Sequence, residues 1–187
     1  MKQLLIVLCA GACLASCGSK KDEKKDDKMD GDKKEAGTTE NKSTADLPYT
    51  AGYTANWDAN VSDEDVKTVL NSYKFWSDND LDKLMAVMAD TVTIDFASGL
   101  HAVHSNADLR KTWASHRDSL SSIRITMDSW HKMHATDKGD TYVVVWYNEY
   151  DTYKDGHVDS AAYHDINQLK GGKINWYSTY KRPLKEK

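Results

Sequence analysis

The sequence has little cysteine and proline, no long apolar run and no excess of basic charge. All three cysteines, Cys9, Cys13 and Cys17, lie near the N-terminus, so the rest of the chain can form neither a disulfide nor a thiolate metal site. No apolar run reaches the roughly 18 residues that a membrane-spanning helix needs. The net charge of −4, without a basic cluster in the folded part, argues against nucleic-acid binding. A length of 187 residues suits one globular domain with appendages.

The first residues have the pattern of an export signal. Lys2 precedes an apolar run that ends in small residues, which is typical of a secretory signal peptide. The segment Leu14-Ala15-Ser16-Cys17 resembles the bacterial lipobox. This resemblance implies cleavage before Cys17 and acylation of its thiol, and the acyl chains would anchor the protein to a membrane. We therefore expect a signal peptide over residues 1–16 and lipidation at Cys17. The alternative is an ordinary signal peptide that contains cysteines.

Residues 17–46 are rich in Lys, Asp and Glu and have few apolar residues. Such a segment cannot bury enough surface to offset its chain entropy, so we expect a lipidated, disordered tether. Within it, Lys21-Asp22-Glu23 resembles the export signal of one group of Gram-negative surface lipoproteins. The sequence thus predicts an outer-membrane lipoprotein of the cell envelope, and this motif favours surface exposure. The folded domain is expected over residues 47–187.

The pattern of the domain predicts helices first and strands afterwards. Ser62 is a good N-cap for a first helix, a second helix starts at Leu81 and ends near Asp90, and Ser105 or Asn106 can cap a third. A short strand begins at residue 91, between the second and third helices. Four longer strands follow residue 121, joined by glycine-containing turns. This order predicts an α+β fold in which a curved antiparallel sheet packs on the N-terminal helices.

The order of elements resembles the SnoaL-like branch of the nuclear-transport-factor-2-like superfamily, over about residues 62–182. The stretches that match best are residues 79–84, 88–96, 107–110 and 165–174. The resemblance implies an α+β cone, in which a bent sheet wraps around helices and leaves a pocket at the wide end. It also implies frequent dimers through the outer sheet face. These are motifs of fold, so they support architecture more than activity.

Two aspartates are candidate catalytic residues. Asp95 follows an apolar strand core, near the place where enzymes resembling ketosteroid isomerase carry a general base, although gap-free alignment puts Phe96 there. Its alternative role is to cap the following turn. Asp165 lies where those isomerases carry a second pocket carboxyl, which burial would make a hydrogen-bond donor. The alternative is a solvated or interfacial sheet residue. His164 and Asp165 point to opposite faces, so only one of them can reach the pocket.

The seven histidines form no HxH or HExxH pattern, so neither a metal nor another cofactor is expected. Histidine with aspartate is an acid/base pair in dehydratases of the superfamily. By that resemblance, His104 or His116 would act with Asp95 or Asp165, because imidazole titrates near neutral pH. Tyr73 would serve as a hydrogen-bond donor.

Large aromatic residues are the strongest compositional signal of the domain. Some of them could form a flat apolar pocket for a ring-shaped or acyl ligand, whereas most could simply pack in the core or in a dimer face. The candidate ligand-binding residues are Trp76, Trp113, Trp130, Trp146, Tyr163 and Trp176.

Three hypotheses follow for function. The first is a lipid-anchored domain that binds a small, largely apolar molecule in the cone pocket, for which a cavity of at least roughly 300 Å³ is expected. The second is an isomerase, cyclase or dehydratase that uses Asp95 or Asp165 with a histidine. The third is a non-catalytic module for dimerisation or protein interaction. The expected partners are a small molecule, a membrane and a second copy of the chain at the outer sheet face, without nucleic acid.

Overall fold

The computed structural model describes residues 46–184. The expected signal peptide, the lipidation site Cys17 and all but the last residue of the tether lie outside the described residues, so they stay predictions. Within residues 46–184, none of the helices has the length and apolar character that crossing a membrane requires.

Within residues 46–184, three helices begin where the sequence predicts them. Ser62 accepts a hydrogen bond from the backbone amide of Asp65 at 3.0 Å, which fixes the first turn of the first helix. Asp80 and Ser105 accept from the backbone in the same way at the starts of the second and third helices. The helices are α1 (Asp63–Ser77), α2 (Leu81–Val87) and α3 (Asn106–Arg117).

Seven strands form one curved sheet, and the predicted α+β cone is confirmed. The sheet order is β1-β4-β5-β6-β7-β2-β3. The strands are β1 (Trp57–Asp58), β2 (Met88–Asp95), β3 (His101–Ser105), β4 (Leu120–Ala135), β5 (Asp140–Tyr153), β6 (Val158–Lys170) and β7 (Lys173–Pro183).

The sheet is mixed, which corrects the prediction of a fully antiparallel one. Strands β4 to β7 form the expected antiparallel meander, but β2 pairs with β7 in parallel. The reason is topological: the chain leaves β2 through β3 and α3, crosses to β4, and the meander then returns to β2 in the same direction.

The helix-to-strand boundary also differs from the prediction. Helix α2 ends at Val87 rather than near Asp90, because Met88 already pairs with Ile174 of β7. After β2, the chain turns at Gly99, whose φ of +84° is the left-handed conformation that glycine tolerates. This turn lets β3 pair with β2 before α3 begins. Long-range pairing of this kind leaves a weak local signal.

Alternation along the strands separates an inner face, which packs against the helices, from an outer face. Val143, Val145 and Tyr147 of β5 are buried in the core, whereas Trp146 between them is exposed. Further along the same inner face, buried polar side chains replace the apolar ones, among them Glu149. The apolar core therefore ends in a polar region on the inner face of the sheet.

Candidate functional site

A cavity of about 190 Å³ lies between the inner face of the sheet and the three helices, and it is partly open to solvent. Its wall is mainly aromatic, with two apolar side chains from α2 and β2 and five polar ones. The aromatic residues are Tyr73, Trp76, Phe96, Trp113, Tyr147, Tyr163 and Tyr177; the others are Ser72, Leu84, Met88, Glu149, Asp165, Asn167 and Thr179.

The size of the cavity limits what it can hold. Its 190 Å³ falls short of the roughly 300 Å³ that the ligand-binding hypothesis expected, so that expectation is wrong for this cavity. Benzene, however, binds in an engineered cavity of about 150 Å³ in another protein. The cavity therefore suits a ligand built on one ring or on a short chain.

Asp165 is the most buried carboxylate of the cavity wall, with 4% of its surface exposed. The hydroxyls of Tyr73 and Tyr147 donate to its Oδ2 at 2.9 and 3.0 Å. Its Oδ1 has no hydrogen-bond partner among the described residues. Burial raises the pKa of Asp165 to about 6, although the two tyrosine hydroxyls that donate to it favour its charged form. At neutral pH the group is mainly a carboxylate that can accept a proton.

Asn167 sets the direction of the hydrogen bonds around Asp165. Its side-chain amide donates to the hydroxyl oxygen of Tyr73 at 3.1 Å and to the backbone carbonyl of Val143 at 3.3 Å. Because the Tyr73 oxygen accepts from Asn167, its own proton points to Asp165. Burial raises the pKa of Tyr73 and of Tyr147 well above the ordinary value. Both tyrosines therefore remain neutral donors.

Glu149 is a second carboxyl of the cavity wall, which sequence reasoning missed. It is 9% exposed, and burial raises its pKa to about 8, with further increases from the nearby charges of Asp151 and Asp165. Glu149 is thus mainly protonated at neutral pH. The signal that could have found it is the alternation of Val143, Val145, Tyr147 and Glu149, which continues one buried face into a charged residue.

His116 approaches the cavity only through a neighbour. Its ring stacks on Trp76, with centroids 5.9 Å apart, and Trp76 lines the cavity. On the same indole, the guanidinium of Arg117 lies 5.5 Å from the ring centroid and its Nε donates to Asn79. His104 lies on β3 opposite Val92 and does not line the cavity. The structure therefore brings neither histidine to Asp165.

Asp95 lies on the outer face, away from the cavity. Its Oδ1 pairs with Nδ1 of His101 at 2.6 Å, and its Oδ2 accepts from Nε1 of Trp176 at 2.8 Å. Both bonds lower the pKa of Asp95. Strand alternation places Phe96, the next residue, on the cavity wall instead. The expected role of Asp95 as a pocket base does not fit this position.

The aromatic candidates divide into two groups. Trp76, Trp113 and Tyr163 line the cavity together with Tyr73, whereas Trp130, Trp146 and Trp176 do not. A ligand-binding role in this cavity does not fit those three residues.

Each of these three tryptophans has its own surroundings. Trp146 stacks on His164 on the outer face, where Trp176 also lies, since Asp95 accepts from its indole. Trp130 is 50% exposed and lines a separate groove between α1 and β4. A register shift between Met127 and Ser129 of β4 breaks the alternation that the sequence suggests.

No group of three or more potential ligands among His, Cys, Asp and Glu could hold a metal ion within residues 46–184. The groups that the described cavity offers are two carboxyls of unequal pKa, neutral tyrosine donors and aromatic faces.

Comparisons with known proteins agree with this architecture. The SnoaL-like domain family matches residues 69–177, which is more than half of the chain. Among solved structures, an LEH-like epoxide hydrolase of M. tuberculosis has a TM-score of 0.55 at 8% identity, covering 65% of this chain and 84% of that one. An NTF2-like protein of Anabaena variabilis has a TM-score of 0.53 at 17% identity, covering 66% and 92%.

A third solved structure is a protein of Catenulispora acidiphila with a ketosteroid isomerase-like fold, in complex with trimethylamine. Its TM-score is 0.50 at 14% identity, and the match covers 61% of this chain and 84% of that chain. No curated protein matches the chain. At these identities, the structural likeness establishes the fold alone.

Proposed function

The chain belongs to the SnoaL-like domain family, and on this basis we propose that its cavity binds a small, largely apolar ligand fixed by a polar group at Asp165. The observation that carries the proposal is the buried Oδ1 of Asp165, which has no partner among the described residues on the wall of an aromatic cavity. An unpaired buried acceptor costs about 1–3 kcal/mol. A donor on a ligand would remove this cost, and the aromatic wall would supply apolar contacts.

The size of the cavity supports a compact ligand. A volume of about 190 Å³ favours one ring or a short chain over a fused ring system. The protein from Catenulispora acidiphila has a similar fold and is in complex with trimethylamine, a molecule small enough for a cavity of this volume.

Mass spectrometry of the natively purified protein tests ligand binding. We expect the wild-type chain to retain a small molecule, and Asp165→Asn to lose most of it, because the amide removes the charged acceptor. Asp90→Asn is the matched control, since Asp90 is exposed on β2. A wild-type protein without any bound molecule, or equal retention by Asp165→Asn, would contradict the proposal.

We further propose that the domain is exported and anchored to the outer membrane by acyl chains on Cys17, with residues 17–46 as a spacer. The lipobox-like segment and the charged composition of the spacer support this. In bacterial cells fed a labelled fatty acid, Cys17→Ala should abolish labelling of the protein and release it from membranes. Cys13→Ala should leave both unchanged, because Cys13 belongs to the cleaved peptide. Labelling that survives Cys17→Ala would refute the anchor.

An acid/base enzyme is the second candidate function, and the unequal carboxyls favour it. Asp165, with a pKa of about 6, is mainly ionised at neutral pH, whereas Glu149, with a pKa of about 8, is mainly protonated. Such a difference suits one group to remove a proton and the other to donate one. This reaction class includes isomerases, cyclases and dehydratases, with Tyr73 as a positioned donor.

Exchange of the α-hydrogens of cyclohexanone in D₂O, followed by NMR, tests this function without knowledge of the substrate. The wild-type protein should accelerate exchange, and the rate should rise as the pH passes about 6, because the base must be ionised. Asp165→Asn should lose the acceleration, whereas Asp95→Asn should keep it. Equal rates with and without protein would remove the basis for this proton abstraction.

The outer sheet face supports the third hypothesis, a homodimer. Trp146 and Tyr180 are exposed there, and both contact His164. Because exposed aromatic surface favours association, we propose that this face pairs with a second copy. Light scattering of the purified protein would show a dimer, and a charged substitution such as Trp146→Glu should shift it to monomer. A wild-type monomer at high protein concentration would contradict this proposal.

A further inference from the structure

We propose that the ligand of the cavity is a small organic cation, an amine that is protonated at neutral pH, held between Glu149 and Asp165. The inference rests on the proposed ligand-binding function and assigns the chemical class of its ligand.

The first argument is the charge of the cavity wall. Two of its described residues are carboxylic acids, and none is a lysine, arginine or histidine. Within residues 46–184, neither Glu149 nor Asp165 takes part in a salt bridge. Buried carboxylates are normally paired with a cation or held by a metal. A cationic ligand would supply the partner that the carboxylate of Asp165 lacks, and its charge would favour ionisation of Glu149.

The second argument is the placement of the two carboxyls. Asp165 on β6 lies opposite Val145, and Glu149 stands four residues further along β5 on the same inner face. Their Cα atoms are therefore separated along the strand by roughly 13 Å. Both side chains line the same cavity. A ligand bound between them would meet the Asp165 carboxyl at one end and the Glu149 carboxyl at the other.

The floor between the carboxyls is aromatic. Tyr147 and Tyr163 occupy neighbouring strands at this point, and their rings stack with centroids 5.1 Å apart at an interplanar angle of 10°. Across the cavity, Trp76 and Trp113 lie with centroids 6.1 Å apart. Aromatic faces attract ammonium groups within about 6 Å of the ring centroid. The cavity thus combines aromatic faces with two acidic ends, an arrangement suited to a cation.

The unpaired Oδ1 of Asp165 provides an acceptor that can orient the ligand through a hydrogen bond. Oδ2 of Asp165 is already occupied by the hydroxyls of Tyr73 and Tyr147, while Oδ1 has no partner among the described residues. A protonated amine can donate an N–H to Oδ1 and carry the neutralising charge in the same group. A neutral alcohol can supply only the hydrogen bond.

Benzylamine and benzyl alcohol form a matched pair of probes, because they share one ring and one donor and differ in charge. Each would be titrated into the full chain at pH 7, with binding followed by calorimetry and by tryptophan fluorescence. We expect benzylamine to bind at least about tenfold more tightly than benzyl alcohol. In Asp165→Asn the preference should fall towards equality, in Glu149→Gln it should fall by a smaller factor because that carboxyl ionises only when the cation is bound, and Asp90→Asn should retain it. Far-ultraviolet circular dichroism would verify that each variant folds.

Three other outcomes contradict the inference in different ways. Equal binding of both probes would overturn the cationic ligand and leave the ligand-binding cavity standing. Binding of neither probe would refute the proposed function and the inference together for ligands of this size. A preference for benzylamine that survives in both Glu149→Gln and Asp165→Asn would place the cation elsewhere on the protein.

Discussion

Asp165 and Asp95 are two carboxylates on opposite faces of one sheet, and their surroundings give them opposite properties. Asp165 is buried beside Tyr73 and Tyr147, and burial raises its pKa to about 6. Asp95 is half-exposed, and its bonds to His101 and Trp176 lower its pKa. The same side chain thus takes up a proton near pH 6 inside the cone and is an anion at neutral pH outside it.

The comparison shows that one step along a strand decides which chemistry a residue can perform. Ile94 and Phe96 occupy the inner face, so Asp95 between them is directed outwards. On β6, Asp165 and Asn167 share the inner face, and both are buried. The candidate site therefore follows from strand parity more than from the presence of an acidic residue.

Adjacent substitutions on β2 should give the largest contrast between the two faces. Ile94→Ala should lower the free energy of unfolding by about 2–5 kcal/mol, because Ile94 is fully buried. Asp95→Ala should change it far less than Ile94→Ala does, since it removes a partly exposed ion pair and one indole bond. Urea denaturation of the two variants checks this. Similar losses in both would mean that β2 is not divided into a core face and a solvent face.

The pH dependence of stability should have opposite signs for the two aspartates. The folded state raises the pKa of Asp165 to about 6, above the roughly 3.9 of an unfolded aspartate. Its contribution is complete below about pH 4 and is lost as the pH rises through 6, amounting to roughly 3 kcal/mol. For Asp95 the folded pKa is lowered, so its contribution is present at neutral pH and is lost as the pH falls.

Urea denaturation between pH 3 and 8 would separate these effects. Asp165→Asn should reduce the loss of stability between pH 4 and 6, and should abolish it when combined with Glu149→Gln, whereas Asp95→Asn should reduce only the loss on the acid side. Glu149→Gln is needed beside them, because the raised pKa of Glu149, about 8, gives a decrease of the same sign up to that pH. Asp165→Asn with the wild-type slope between pH 4 and 6 would show that Asp165 is not a buried acid.

Removal of one tyrosine hydroxyl should give the smallest of these effects and the most specific one. Tyr73→Phe removes a donor to Asp165, so it should raise the pKa of Asp165 and cost about 1 kcal/mol at neutral pH. Tyr180→Phe on the outer face is the control and should leave the pKa unchanged. NMR titration of the Asp165 carboxyl carbon measures this pKa in both variants. If the pKa of Asp165 were unchanged in Tyr73→Phe, the Tyr73 hydroxyl would not stabilise the Asp165 carboxylate.

Local patterns predict the architecture well because each signal acts over a few residues. The Ser62 cap and the apolar spacing after it define α1, and glycines 156, 171 and 172 adopt the positive φ angles of the predicted turns. The strand β1 and the parallel pairing of β2 with β7 arise from contacts distant in sequence. No local pattern specifies such pairings, so they were missed.

The site was predictable only as far as strand parity holds. Alternation separates Asp165 from His164, and the gap-free alignment points to Phe96, which directly follows β2 and lines the cavity. Parity fails at the register shift in β4. Counting in steps of two from Met127 would direct Trp130 outwards, but the shift pairs it with Val145 of the inner face. Glu149 was not predicted, because the apolar residues before it in β5 are typical of a core strand and give no sign that a cavity begins there.

The amide of Asn167 has a consequence for the basicity of the whole cavity. It links the backbone carbonyl of Val143 to the hydroxyl of Tyr73, and hence to Asp165, so the relay of donors runs in one direction only. Substitution by aspartate, nearly identical in shape, would offer Tyr73 a competing acceptor and withdraw its proton from Asp165. The proton affinity of the cavity can therefore be retuned by one residue of its wall, with little change in the shape that a ligand meets.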